Sequence, residues 1–114
     1  MGTADELLPL SPLSMEILVA LAGGDLHGYA IIQAVHAQTG GRRQPGAGTM
    51  YAALDRMLSA DMIREVTTAD DRTARRRSYA ITPFGRQVAR AEARRLATLL
   101  ELAAERRLIR RPVT

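Results

Sequence analysis

The chain has no cysteine, no lysine and no tryptophan. Without cysteine there is no disulfide framework and no thiolate site for zinc. Aromatic residues make up only 4%. No apolar run is long enough to cross a membrane. The opening nine residues carry acidic rather than basic side chains, unlike a secretory leader, so a cytoplasmic protein with no membrane partner is expected. The two histidines, His27 and His36, are too few for a catalytic set, and no Gly-rich phosphate loop runs from a strand into a helix. The Asp70-Asp71 pair has the composition of an ordinary turn. No enzyme activity, cofactor or metal site is therefore expected, and no internal repeat is present.

What the chain does have is arginine. All 16 basic residues are arginine against 12 acids, a net charge of +4 and a pI near 10.6. A GC-rich genome also produces arginine-only usage, but the balance favours an anionic partner, nucleic acid first. At 114 residues and 46% hydrophobic, the chain is long enough for one domain with a modest core and an appended helix.

Residues 1–9 read as a fraying N-terminal arm. Ser11-Pro12 is a helix start, a hydroxyl cap followed by proline at the first helical position. That helix reaches about Ala22 and ends at Gly23-Gly24. Asp25 is placed to cap a second helix that carries Tyr29, Ile31, Ile32 and Val35 and stops near Gly40-Gly41. Arg42, Arg43 and Pro45 form a basic loop. The stretch Gly46–Leu58 then sets Met50, Leu54, Met57 and Leu58 on one apolar stripe. Thr49, Tyr51, Ala52, Asp55, Arg56 and Ser59 take the opposite face, a composition suited to a DNA major groove. An ordinary surface helix would look similar on these residues alone.

After Ala60 the period shortens. Residues 62–67 and 75–81 read as two strands joined by a polar turn, a hairpin. Three helices and a hairpin make a winged helix. Arg75 and Arg77 share one strand face and Arg76 takes the other. The aspartates at the tip would repel phosphate, so the stem rather than the tip is expected to meet DNA. Thr82-Pro83 starts a last helix that can run to about Leu108. Val88, Leu96, Leu99, Leu100, Ala103 and Leu108 give it an apolar side that calls for a partner helix, a second copy of the chain first. The alternative is that this helix folds back on its own domain.

The ordered set His27-Gly28-Tyr29, Gly48-Thr49-Met50-Tyr51, Leu54-Asp55-Arg56-Met57-Leu58, Asp61-Met62-Ile63 and Arg75–Gly85 resembles the PadR family of winged helix-turn-helix transcription regulators. The resemblance covers about residues 10–85. Three positions depart from the family pattern: Ala47 replaces a proline, Asp61 a glycine, and Ser78 a second aromatic. Asp is among the few residues that tolerate the left-handed conformation a glycine would supply. The resemblance implies that the Tyr29 hydroxyl meets a phosphate and that a small hydrophobic or aromatic effector releases DNA. Since tryptophan is absent, the tryptophan-lined effector pocket of some relatives cannot recur in that form.

The expected fold is mainly α, an α+β winged helix: a three-helix winged helix-turn-helix with a two-stranded β wing and a long C-terminal dimerisation helix. Its expected divisions are an arm (1–9), a DNA-binding domain (10–81) and a dimerisation helix and tail (82–114). The expected function is a homodimeric, sequence-specific repressor on an inverted-repeat operator in double-stranded DNA. The DNA-contacting residues would be Tyr29, Arg42, Arg43, Thr49, Tyr51, Arg56, Arg72, Arg75 and Arg77. For Tyr51 the competing role is packing against the wing; for Arg56 it is pairing with Asp55 or Glu65. The rival function is a winged-helix interaction module that has lost specific DNA binding.

Overall fold

The computed structural model describes residues 3–66 and 77–110. Its helices are α1 (Pro12–Ala22), α2 (Gly28–Gln38), α3 (Ala47–Ser59) and α4 (Pro83–Glu105), and its strands β1 (Leu26–His27), β2 (Ile63–Val66) and β3 (Ser78–Ile81). Both cap-plus-proline starts form as the residues dictate. The Ser11 side chain accepts from the Ser14 amide at 3.2 Å, and Thr82 Oγ1 accepts from the Gly85 amide at 2.9 Å. Each satisfies an amide that the first helical turn leaves without an intrahelical partner.

Among the described residues the sheet has three strands in the order β1-β3-β2, both pairs antiparallel: the expected two-stranded wing, β2 and β3, and a further strand, β1. β1 is only two residues long, Leu26 opposite Tyr79 and His27 opposite Ser78, too short to show a period in the sequence. Asp25 does not cap α2. The chain leaves β1 directly into the helix, and His27 occupies the cap position with no side-chain cap bond. His27 Nδ1 instead lies 3.0 Å from the Ser78 hydroxyl. A hydroxymethyl at 78 fills a buried place in the sheet and meets the imidazole there.

Ile17, Leu18, Leu21, Ile31, Val35, Met50, Leu54, Met57, Ile63, Tyr79 and Val88 form one hydrophobic core. Burial of the phenol raises the Tyr79 pKa, and the nearby Glu65 charge adds to the rise. The turn after α3 is tied by Asp61 N–H to Leu58 O and Met62 N–H to Met57 O, both 3.0 Å. Asp61 sits at φ 61°, the left-handed geometry expected of it, and this turn aims the chain into β2.

Two expectations about the ends of the chain change. Residues Ala4–Leu7 form a 3-10 turn that packs on α4 instead of fraying. The Leu10 amide donates to Glu92 Oε2 at 2.8 Å, and Arg95 Nε donates to the other carboxylate oxygen. That arginine bond, then the Leu10 amide, holds the Glu92 carboxyl below its ordinary pKa against the opposing effect of burial. At the other end α4 stops at Glu105, short of Leu108. Arg107 turns left-handed (φ 62°), and the Leu108 amide bonds back to Ala103 O at 2.9 Å, closing the helix.

Candidate nucleic-acid interface

α3 buries Met50, Ala53, Leu54 and Met57. At about 100° per residue, the line farthest from that stripe runs through Gly48, Ala52, Asp55 and Ser59, all exposed. Exposed Thr49 and Arg56 flank it on one side, and half-buried Tyr51 flanks it on the other. The helix start carries no side-chain cap, so its first amides remain available to an anion, and the helix dipole favours one there.

Tyr29 stands at the first turn of α2 with 62% of its surface exposed. It shares an apolar groove of about 590 Å³ with Ile32, Ala47 and Tyr51. The Tyr51 ring lies over Gly28, where a Cβ would come within 2.6 Å of the hydroxyl oxygen. Tyr51 therefore packs against the start of α2. The expected alternative to DNA contact for Tyr51 is packing against the wing; the ring contact found here is with Gly28 of α2. The glycine at 28 makes the close approach feasible.

Two of the arginines assigned to DNA contact have protein carboxylates beside them. Arg43 Nε lies 2.7 Å from Glu16 Oε1, while Gln38 Nε2 donates to the Glu16 carbonyl at 3.0 Å. Together they tie the loop after α2 to α1. Arg77 Nη1 lies 3.3 Å from Glu65 Oε1 on the neighbouring strand, and both side chains remain substantially exposed. Arg42 and Arg56 are exposed, and among the described residues Arg56 forms no ion pair with Asp55 or Glu65. Arg72 and Arg75 lie outside the described residues. Glu16 and Glu65, which set two of these guanidinium positions, had no signal in the sequence beyond their charge, because their partners are distant in the chain.

α4 divides in two. Val88, assigned above to the dimerisation face, is fully buried in the subunit's own core and cannot serve there. Beyond Glu92 the same side of the helix overhangs the domain. Leu96 is half-buried, whereas Leu99 and Leu100 are 58% and 46% exposed and Leu108, past the helix end, 77%. Among the described residues no His/Asp/Glu cluster could hold a metal ion, and no helix is long and apolar enough to cross a membrane.

Residues 17–91 match the transcriptional regulator PadR-like family. The chain belongs to the PadR-like family. Solved structures agree on the fold. A PadR family transcription regulator from Clostridium difficile R20291 superposes with a TM-score of 0.70 at 22% identity, covering 83% of this chain and 97% of that one. Bacillus subtilis PadR in complex with operator DNA gives 0.62 at 24% identity, covering 73% and 47%. An uncharacterised 37.1 kDa protein in transposon TN4556 of Streptomyces fradiae is 38% identical over 85 residues. That stretch is 75% of this chain but only 23% of the transposon protein, so this PadR-like chain corresponds to a minor part of that relative's length.

Proposed function

We propose that this PadR-like chain binds double-stranded operator DNA specifically, as a homodimer, and represses transcription from an inverted-repeat site. The observation that carries this is the outward face of α3. It is a solvent-exposed strip of small and polar side chains, starting from an uncapped helix end, with exposed Tyr29 across the adjoining groove. In this reading α3 lies in the major groove, with Thr49 and Tyr51 at its front. The Tyr29 hydroxyl and Arg42, Arg43, Arg56, Arg72, Arg75 and Arg77 meet the backbone. Leu96, Leu99, Leu100, Ala103 and Leu108 hold the second copy. Release by a small hydrophobic or aromatic effector belongs to the same reading, resting on methionine, leucine and tyrosine contacts.

One observation favours the rival interaction module: Arg43 and Arg77 already have carboxylate partners. The Arg77–Glu65 pair is exposed and weak, about 0–1 kcal/mol, so a phosphate can compete for the Arg77 guanidinium; Arg43 is held to a Glu16 side chain that is only 21% exposed. The test compares binding to a promoter fragment from the protein's own locus with binding to a random duplex, at physiological salt. Thr49→Ala or Tyr51→Ala should cost roughly 1–3 kcal/mol on the promoter and little on the random fragment. Equal, weak binding of wild type to both would transfer support to the interaction module.

A further inference from the structure

The centre line of the exposed α3 face has a definite order. Gly48 and Ala52 offer nothing larger than a methyl group, and Asp55 then presents a carboxylate. A bare, shallow front lets the helix approach the groove floor closely. A carboxylate there is repelled by phosphates and can only accept hydrogen bonds. On the major-groove edges the donors are the amino groups, N4 of cytosine and N6 of adenine. Among the described residues no ion pair occupies Asp55. Ala52, three residues earlier on the same line, offers a methyl surface that complements the C5-methyl of thymine.

Resting on the DNA-binding role above, we propose that Ala52 and Asp55 determine sequence specificity: Ala52 packs on a thymine methyl, and Asp55 accepts a hydrogen bond from a cytosine amino group. Tyr51, held over Gly28, and Thr49 border this line on either side and fix how deep the helix sits. Arg56, beside Asp55 at the deeper end, neutralises part of the carboxylate's repulsion toward the backbone.

The experiment selects bound sequences for the full chain from a randomised duplex pool, then repeats the selection with Ala52→Gly, Asp55→Asn and Asp55→Ala. Thermal melting checks that each variant keeps the fold. Asp55→Asn should move one position from cytosine toward adenine, because an amide pairs with the adenine edge. Asp55→Ala should level that position, a loss of roughly tenfold or more in discrimination. Replacing the contacted thymine by deoxyuridine should weaken wild type about fourfold, the worth of one buried methyl, and leave Ala52→Gly unaffected. If both Asp55 variants raise affinity for every sequence alike, the carboxylate only repels phosphate and its base contact is refuted. If wild type binds the uracil site as tightly as the thymine site, the Ala52 contact is refuted. If selection with wild type enriches no sequence, the DNA-binding role itself fails, which separates that outcome from the other two.

Discussion

The Tyr51 hydroxyl oxygen would lie only 2.6 Å from a Cβ placed on Gly28, so the first residue of α2 fixes where the front of α3 can carry its aromatic ring. Gly28→Ala should therefore displace Tyr51. The neighbour is the far end of a flexible side chain, so the melting temperature should fall only slightly. Affinity for a specific operator should fall much more, toward the Tyr51→Ala value. Equal operator affinity for Gly28→Ala and wild type would show that the ring position does not matter to binding.

Gly85→Ala should behave in the opposite way. A Cβ there would sit 2.0 Å from the Met62 carbonyl oxygen, which is backbone and itself accepts from the Thr82 amide at 3.1 Å. Overpacking against groups that cannot yield costs about 1–3 kcal/mol or more. Denaturant unfolding should show this loss, whereas Gly48→Ala, inside α3 with open space around its Cβ, serves as the tolerant comparison.

Asp61→Gly should stabilise the fold. The left-handed turn at φ 61° is strained for a residue with a Cβ, and glycine relieves that strain while adding freedom to the unfolded chain. The net gain should be about 0.5 kcal/mol. Asp61→Val, which keeps the Cβ and adds branching, should destabilise. A chemical melt that ranks valine above glycine would contradict the turn geometry.

Glu92 links acid stability to the N-terminal segment. Its pKa is lowered from the ordinary 4.5 on folding, so its contribution is complete above that value and fades as pH falls below it toward the folded pKa. Glu92→Gln should melt lower than wild type at pH 7. The gap between the two should narrow as pH drops below about 4.5. A gap independent of pH would mean that the carboxylate's charge plays no part.

Arg77→Ala should lower the log-log salt slope of DNA binding by about one if it removes one phosphate contact. Glu65→Gln should strengthen binding to all sequences by freeing that guanidinium. In assembly, Leu99→Glu combined with Leu100→Glu should yield monomer by light scattering, because a buried unpaired charge costs several kcal/mol.

The parts of the fold that were legible in the sequence are those governed by neighbouring residues. Ser11-Pro12 and Thr82-Pro83 set helix starts within one turn, and Asp61 declared its turn. What escaped needed contacts across the chain. Leu26–His27 is a strand only because β3 lies beside it, and Glu92 is buried because the segment ending at Leu10 folds over it. Val88 shows the same limit within one helix. Periodicity places it on the side shared with Leu99, but only tertiary packing reveals that the two ends of that side meet different environments. On α3 the period marks the exposed side, with Ala52 and Asp55 along its centre and Thr49 and Tyr51 at its borders, but it does not say which of them would read a base.

That division of α4 makes residue count a control of its own. Val88 anchors the helix in the domain and Leu99 projects beyond it, so the angular phase between anchor and overhang depends on how many residues lie between them. A substitution in this span alters a contact gradually. One inserted residue would swing the distal leucines by about 100° and advance them about 1.5 Å. Seven would return them to within about 20° of their starting phase. Lengthening the span is therefore a stepwise way to reorient whatever the overhang engages, with the α3 surface left untouched.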